Sequence, residues 1–423
     1  MPVESAGSVR PAPPPTRRRS SATPGFVAVT LLATLACVVA YRYSSHHDFF
    51  DLKIYVRALR WWAAGNPLYD YVQPDRVQGA LYFTYPPFAA LLLRPFTPLP
   101  LGVTAALFTV VTLVAVVVTT WWLVTPLARA RGVSRWWLAA ACVPLVLLIE
   151  PLRETITFGQ INMLLVVLVL ADLLRAVPRG SRWAGVGVGL ATAIKLFPGI
   201  FLVYLLLSRR WRAAVTGGAT AAAATVVAAA VAPRDSWRFW TDALWATERV
   251  GRTDYTGNQS LLGLVSRLVA PQPPQRLLWV VVAAAVAAYG LWRAMRAARA
   301  GDEVAGLALT GLVGALVSPI TWTHHVYWFV PALVVVVDAA LTATNRHRRG
   351  GLLAFGALVY AALAYGVVSF YDWGAAAVPT DSVGEFVARN AYVLLALATL
   401  VVLPIRLPRQ ETFAEKLPYA RET

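Results

Sequence analysis

The sequence has few of the features on which soluble enzymes usually depend. Only 14% of its 423 residues are charged, whereas about a quarter are charged in an average soluble protein. Its two cysteines, Cys37 and Cys142, both fall inside apolar runs, so we predict neither a disulfide nor a metal site from them. The sequence also contains no CxxC, HExxH or P-loop motif, which are common signatures of zinc and nucleotide sites.

What the chain has instead is apolar residues in long runs. They make up 58% of the sequence and give a mean hydropathy of +0.59. The runs reach the roughly 20 residues that a helix needs to cross a hydrocarbon layer of about 30 Å. We therefore predict an all-α polytopic integral membrane protein with about 11–12 transmembrane helices. The candidate spans are roughly 25–43, 101–124, 136–150, 161–177, 183–208, 213–232, 276–294, 304–318, 326–343, 351–370 and 389–405.

Segment 183–208 does not fit a single crossing. Basic residues flank both of its ends, and Lys195 lies inside it, followed by Phe197 and Pro198. Two short half-spans that turn near Lys195 would put both basic flanks on one side. This gives twelve crossings, or eleven and a re-entrant pair.

The net charge of +17 is a topology signal. Most Lys and Arg residues fall in one alternating set of short loops and in both tails, which the positive-inside rule makes cytoplasmic. We predict a disordered basic tail at 1–24, a membrane domain at 25–405 and a second cytoplasmic tail at 406–423. Because the charge is explained by this distribution, we predict no nucleic-acid partner. Membrane lipids are the expected surroundings.

The opposite, outer side then receives the long irregular segments, which often carry function. The first outer loop is 44–100 and the second large one is 233–275. Segments 151–160, 319–325 and 371–388 join them. We expect the active site on this extracytoplasmic face of the plasma membrane.

The first outer loop opens with a predicted amphipathic helix that lies in the membrane interface. From Asp51 to Ala64, one stripe is apolar and Lys53, Arg57 and Arg60 form another, as in interfacial helices. Asp51 lies near the helix N-terminus, away from the basic stripe. It is either a first-turn acid stabilised by the helix dipole or a base acting on a hydroxyl. Asp48 is the second candidate for that base.

Other outer segments carry polar groups at the mouths of apolar runs. An ionisable group such as Lys195 is costly there and suits a phosphate, although it can also snorkel to the surface. Amides suit sugar hydroxyls but also cap helices, and the paired histidines suit phosphate or sugar better than a metal. These candidates are Gln160, Asn162, Lys195, Asn258, Gln259, His324 and His325.

Six motifs in order resemble one known family. They are Asp51-Leu-Lys-Ile-Tyr55 with Gly65-Asn-Pro-Leu-Tyr69, Phe83-Thr-Tyr-Pro-Pro-Phe88, Gly159-Gln-Ile-Asn162, Ala193-Ile-Lys-Leu-Phe-Pro198, Asn258-Gln-Ser-Leu-Leu262 and Ser318-Pro-Ile-Thr-Trp-Thr-His-His325. Together they resemble the actinobacterial polyprenol-phosphate-mannose-dependent α-(1→2) mannosyltransferases of the GT-C superfamily, which act on phosphatidylinositol mannosides and lipomannan. The similarity extends over about residues 30 to 405.

The resemblance implies an inverting transfer of mannose from a polyprenyl-phosphate donor to a lipid-anchored glycan acceptor. The catalytic base of the family maps onto Asp51. We assign the donor phosphate to Lys195, His324, His325 and Arg57, and substrate contacts to Tyr55, Tyr85, Gln160, Asn162, Asn258 and Gln259. We expect no cofactor and no metal. The alternatives are transfer of arabinose from polyprenyl-phosphate arabinose, or transport of a lipid or sugar.

Overall fold

In a computed structural model, the protein is described over residues 23–75, 79–370 and 380–406. The predicted tails, 1–24 and 406–423, lie outside these ranges, except for Thr23 and Pro24, which begin the first helix, and Arg406. The predicted outer segment 371–388 is described from residue 380 onward.

The described residues fold almost entirely as helices. One small antiparallel hairpin, β1 (Gln73–Asp75) with β2 (Gly79–Leu81), belongs to the first outer loop and pairs Pro74 with Ala80. The helices are α1 (Thr23–His47), α2 (Phe50–Ala63), α3 (Pro87–Leu93), α4 (Leu101–Ala130), α5 (Arg135–Leu148), α6 (Glu150–Thr157), α7 (Asn162–Ala171), α8 (Val186–Ile194), α9 (Ile200–Leu207), α10 (Trp211–Val231), α11 (Pro233–Arg238), α12 (Leu261–Val269), α13 (Arg276–Arg299), α14 (Glu303–Val317), α15 (Phe329–Thr342), α16 (Arg346–Tyr365), α17 (Val383–Arg389) and α18 (Ala391–Val402).

Length and composition confirm a helical membrane protein. Within the described ranges, α4, α10 and α13 are each long and apolar enough to cross a bilayer alone. Two pairs of consecutive helices are also long and apolar enough to cross a bilayer when each pair is taken as one bent span. These are α5 with α6, bent by 73°, and α17 with α18, bent by 75°. The exact number of crossings, eleven or twelve, stays a prediction.

The predicted break near Lys195 is confirmed. Helix α8 ends at Ile194, Lys195 has an extended backbone, and α9 begins at Ile200. At about 1.5 Å per residue, the nine-residue α8 and the eight-residue α9 measure about 13 Å and 12 Å. Neither is long enough to cross a layer of about 30 Å. This favours the re-entrant pair over two full crossings.

Gly185, Gly187 and Gly189 precede this break and let helices pack closely. A Cβ on Gly187 would collide with the Leu168 carbonyl of α7, and one on Gly189 would collide with the Gly217 carbonyl of α10. Small residues at such contacts are typical of membrane helix interfaces.

The first outer loop packs on the bundle as the amphipathic pattern predicts. On α2, the apolar stripe is buried and Arg57 and Arg60 are exposed. Asp235 of α11 fixes the end of this loop helix, because its carboxylate accepts the Trp62 indole N–H at 2.9 Å and the Leu68 amide at 2.8 Å. Helix α3 begins at the two prolines of the Phe83-Thr-Tyr-Pro-Pro-Phe88 motif, with Pro86 as the residue before its first turn. The first and second outer loops therefore form one layer at one end of the bundle.

Candidate active site

The chain around Gly159 holds the N-terminus of α2. The amides of Phe49 and Leu52 donate to the carbonyls of Thr157 and Phe158, at 2.8 Å and 3.1 Å. The first amides of a helix have no intrahelical acceptor, so the connection between α6 and α7 supplies one. This docking brings Asp51, in the first turn of α2, against Gln160.

Gly159 is required at this contact. Its φ is +71°, and a Cβ there would lie 2.7 Å from the Cβ of Leu52. The left-handed conformation favours glycine, and the close approach excludes a side chain. The Gly-Gln-Ile-Asn motif thus begins with the residue that allows α2 to dock.

A chain of hydrogen bonds runs inward from Asp51. The Gln160 amide nitrogen donates to the Asp51 carboxylate, and the Tyr85 hydroxyl donates to the Gln160 amide oxygen at 3.0 Å. The hydroxyls of Tyr55 and Tyr85 lie 2.6 Å apart. Four predicted site residues from three separate motifs therefore meet.

Lys195 continues this chain on the far side of Tyr85. Its Nζ donates to the Asn162 side-chain oxygen at 3.1 Å and lies 2.9 Å from the Nε2 of His325. The Tyr85 hydroxyl is 3.5 Å away, and the ammonium lies 5.1 Å from the centre of the Tyr85 ring. We call this set the Asp51–Lys195 network; its members are Asp51, Tyr55, Tyr85, Gln160, Asn162, Lys195 and His325.

Burial changes the electrostatics of Asp51. Loss of solvent raises its pKa from 3.8 to about 6, and this outweighs the opposing effects of the Gln160 hydrogen bond and the Lys195 charge. Desolvation favours the neutral form of an acid. The carboxylate is therefore ionised at neutral pH and more basic than an exposed aspartate, as a general base requires.

His325 is neutral, with its proton on Nε2. Burial and the nearby Lys195 charge hold its pKa well below 6.5. Its Nδ1 accepts the Trp322 amide at 3.1 Å, so Nε2 carries the proton in the neutral ring. The Lys195 ammonium and the Nε2–H of His325 are both donors, so their 2.9 Å contact is not a hydrogen bond between them. An anionic oxygen in the same small space could accept from both.

That space is a cavity of about 30 Å³ between α7, the break after α8 and the 318–328 connection. It is large enough for a water-sized group and too small for a sugar. Its walls are Asn162, Lys195, Phe197, His324, His325 and Trp328, with apolar residues beneath.

His324 has different surroundings from its neighbour. Its ring is buried, lies 5.5 Å from the Phe158 ring centre, and has Nδ1 4.0 Å from the Glu154 carboxylate. Among the described residues, neither ring nitrogen has a hydrogen-bond partner. The role of His324 toward the donor phosphate stays a prediction.

Glu154 was not predicted from the sequence. It is fully buried in α6, accepts the Thr323 hydroxyl, and leaves its other oxygen without a partner in the described structure. The available signal was the run Glu150, Arg153 and Glu154 directly after an apolar segment. Buried ionisable groups at such positions are expensive and often functional.

Three predicted contact residues lie outside the Asp51–Lys195 network. Arg57 is exposed and donates to the Gln73 side chain at 3.1 Å. Asn258 and Gln259 are buried, and protein groups occupy their amides: Asn258 accepts the Thr321 amide at 3.0 Å. The Gln259 amide nitrogen donates to the Arg389 carbonyl at 2.8 Å. These amides tie loops together in the present structure, and their assignment to substrate stays a prediction.

The second candidate for the base, Asp48, is also separate from the network. Its carboxylate is largely exposed and is paired with Lys53. The geometry therefore favours Asp51 over Asp48.

Sequence comparison places the chain among glycosyltransferases. A family model described as glycosyltransferase family 87 matches residues 83–319. A polyprenol-phosphate-mannose-dependent α-(1-2)-phosphatidylinositol mannoside mannosyltransferase from Mycolicibacterium smegmatis is 36% identical over 380 residues, covering 84% of this chain and 83% of that protein. A pentamannoside mannosyltransferase of the same dependence and organism is 33% identical over 80% of this chain and 81% of its own.

A more distant relative uses a different sugar. An α-(1->3)-arabinofuranosyltransferase from Mycobacterium tuberculosis is 31% identical over 265 residues, which cover 60% of this chain and 57% of that protein. The family match, the identity to full-length mannosyltransferases and the helical membrane fold agree, and they show that the chain belongs to glycosyltransferase family 87.

Proposed function

We propose that the protein transfers mannose from polyprenyl-phosphate mannose to a hydroxyl of a phosphatidylinositol mannoside or lipomannan. The observation that carries this proposal is the Asp51–Lys195 network, in which a basic carboxylate and a phosphate-type donor pair lie on one hydrogen-bonded chain. The mannosyltransferase relatives support the choice of donor and acceptor. We propose that the reaction occurs on the outer face of the plasma membrane, where a carrier lipid would reach the first outer loop.

In the proposed reaction, Asp51 accepts the proton of the acceptor hydroxyl. The resulting oxygen attacks the anomeric carbon, and the bond from that carbon to the phosphate oxygen breaks. The electron pair leaves with the polyprenyl phosphate. The anomeric configuration inverts in this single displacement, through an oxocarbenium-like transition state.

Lys195 and His325 are proposed to receive the charge that develops on the leaving phosphate. Both residues line the cavity of about 30 Å³, and their nitrogens lie 2.9 Å apart, so a phosphate oxygen would fit there while the sugar stays on the Asp51 side. Preorganised donors of this kind stabilise charge that forms in the transition state. A leaving phosphate monoester needs less neutralisation than a nucleoside diphosphate, so we propose that transfer requires no metal.

Gln160 is proposed to orient the base. Its amide bridges Asp51 and Tyr85, which keeps one carboxylate oxygen occupied and leaves the other for the acceptor. A fixed hydrogen bond at the base limits its rotation and maintains a reactive geometry.

The donor sugar is tested by offering both carrier lipids to the purified enzyme. With a phosphatidylinositol mannoside acceptor, we expect a product with one added hexose from polyprenyl-phosphate mannose and no pentose product from polyprenyl-phosphate arabinose. Mass analysis of the lipid product distinguishes the two additions. A pentose product alone would instead favour the activity of the arabinofuranosyltransferase relative.

A further inference from the structure

A second cavity lies at the other end of the molecule. It has a volume of about 280 Å³ and is formed by the segment before α8 and the turn between α9 and α10. This volume is close to the lower end of small-molecule sites, which begin at about 300 Å³. We call it the arginine cavity, and its polar lining comes from Ser181, Arg182, Arg209, Arg210, Arg212 and Thr216.

The arginine cavity has more positive charge than the protein neutralises. Arg210 pairs with Glu303, with Nη1 2.7 Å from a carboxylate oxygen. Arg182, Arg209 and Arg212 are exposed, and no salt bridge joins them to an acid among the described residues.

The acids near this end already have other partners. Glu303 is taken by Arg210, and Asp302, the residue before it, is paired with Arg406. Asp338 is paired with both Arg131 and Arg406, at 2.7 Å and 2.8 Å. Asp172, which precedes the cavity segment, accepts the Val188 amide at 2.7 Å and forms no salt bridge with these arginines in the described structure. Arg182, Arg209 and Arg212 therefore line the cavity without an acidic partner among the described residues, although Arg182 also stacks on Trp183 at 5.1 Å.

The backbone holds these arginines in place. The amides of Arg209 and Arg210 donate to the carbonyls of Leu206 and Leu205, at 3.0 Å and 2.9 Å. Arg209 has φ of +60°, a left-handed conformation that is uncommon for a residue with a side chain. The tight turn from α9 into α10 thus presents the charges on a fixed frame.

The length of α10 puts the arginine cavity on the opposite side of the membrane from Asp51. The helix begins at the cavity with Trp211, and its 21 residues span about 31 Å. It then leads into α11, where Asp235 binds Trp62 and Leu68 of the first outer loop. Trp183 and Trp211 flank the cavity and are 63% and 59% exposed, as is common for tryptophan at a lipid–water boundary.

We propose that the arginine cavity binds a phosphate group, supplied by the head group of an anionic phospholipid in the leaflet opposite the active site. Guanidinium groups suit phosphate oxygens because they donate in a fixed planar fork. Basic pockets between transmembrane helices are suited to anionic head groups. Free phosphate has the same chemistry but would not require the flanking tryptophans. This proposal does not depend on the donor or acceptor of the transferase reaction.

The test measures lipid retention by the full-length protein. Purified protein is titrated with phosphatidylglycerol or phosphatidylcholine, and bound lipid is counted by native mass spectrometry. The cavity variant is Arg182→Gln/Arg209→Gly/Arg212→Gln, in which glycine accepts the backbone of position 209. The control variant, Arg346→Gln/Arg348→Gln/Arg349→Gln, removes the same charge from exposed positions at the start of α16.

We expect one phosphatidylglycerol to bind to the wild type and the control in preference to phosphatidylcholine, and the cavity variant to bind it at least about tenfold more weakly. Arg212→Gln alone, at an exposed helical position, should weaken binding severalfold without affecting the fold. If inorganic phosphate protects the wild type and not the cavity variant against thermal unfolding, while the lipid shows no preference, the ligand is free phosphate. Equal phosphatidylglycerol affinity in the wild type, cavity variant and control would overturn the proposal.

Discussion

At the residue scale, the chemistry depends on the surroundings of one carboxylate. The first outer loop contains several acids, and Asp51 differs from the exposed Asp48 in being half-buried, hydrogen-bonded to Gln160 and linked through Gln160 and Tyr85 to Lys195. Burial makes it a stronger base, and the network limits how it can rotate. Residue type alone does not distinguish the two aspartates, whereas their contacts do.

The raised pKa of Asp51 predicts a specific pH dependence. Asp51 acts as a base only when ionised, so kcat/KM should increase with pH, with a midpoint near the pKa of about 6. Burial lowers the pKa of Lys195 to about 7, so the rate should fall again at higher pH as Lys195 loses the charge that it offers to the phosphate. With an ordinary carboxylate pKa, the rise at low pH would be absent. The measurement is the rate of sugar transfer from pH 5 to pH 8 at constant ionic strength.

Gln160→Leu provides the matched comparison for this profile. The Gln160 hydrogen bond lowers the Asp51 pKa, so its loss should move the midpoint to higher pH as well as reduce the rate. A midpoint that stays in place or moves to lower pH would contradict Asp51 as the titrating group.

At the scale of elements, the active site depends on how α2 docks on the connection between α6 and α7. Two amides of the α2 N-terminus bind carbonyls of that connection, and Gly159 allows the approach. The same connection leads into α7, which starts with Asn162 and so places the partner of Lys195. One short segment therefore positions both ends of the Asp51–Lys195 network.

Gly159→Ala should disrupt this docking. Its methyl group would press on Leu52 and Phe49, whose atoms lie 2.7 Å and 3.3 Å from an added Cβ. We expect a loss of about 2–3 kcal/mol in stability and a marked loss of transfer activity. Thermal unfolding and transfer assays measure the two effects.

Gly180→Ala is the control, because Gly180 has φ of +61° and no atom within 4 Å of an added Cβ. This variant should lose only about 1–2 kcal/mol of stability, which is the cost of placing a side chain in the left-handed conformation, and it should retain activity. Equal losses of stability and activity in both variants would show that the Leu52 contact is unimportant.

The sequence revealed features that depend on local pattern. Run length predicted the helical membrane fold, alternating stripes predicted the buried face of α2, and Lys195 with the following Pro198 predicted the break between α8 and α9. Features that depend on contacts between residues distant in sequence could not be predicted. The amides of Asn258 and Gln160 look alike in sequence, but one is saturated by loop backbone and the other binds Asp51. The role of Glu154 could not be predicted either, because it depends on contacts with Thr323 and His324, which are distant in sequence.

At the scale of the whole molecule, the two polar regions occupy opposite ends of the helices. The Asp51–Lys195 network lies under the first outer loop, and the arginine cavity lies at the far end of α10. The basic residues that flank α8 and α9 line that cavity together, as the charge pattern predicted. The assignment of the two ends to the outside and the cytoplasm remains a prediction that a labelling experiment can address.

Single cysteines at the two ends test this orientation. In a background with Cys37 and Cys142 replaced by alanine, Val72→Cys places a thiol on the exposed first outer loop and Arg348→Cys places one on the exposed start of α16. A membrane-impermeant maleimide should label position 72 in intact cells and position 348 only after lysis. The reverse pattern would put the active site on the cytoplasmic face.

We propose Asp51 as the base in sugar transfer from a polyprenyl-phosphate donor. The most direct test compares single-turnover transfer from polyprenyl-phosphate mannose by the purified wild type, Asp51→Asn and Asp48→Asn. We expect Asp51→Asn to retain its fold and its donor binding while the rate of transfer falls by about 10²–10⁴-fold, and Asp48→Asn to react at nearly the wild-type rate. Transfer by a folded Asp51→Asn variant at the wild-type rate would show that Asp51 is not the base.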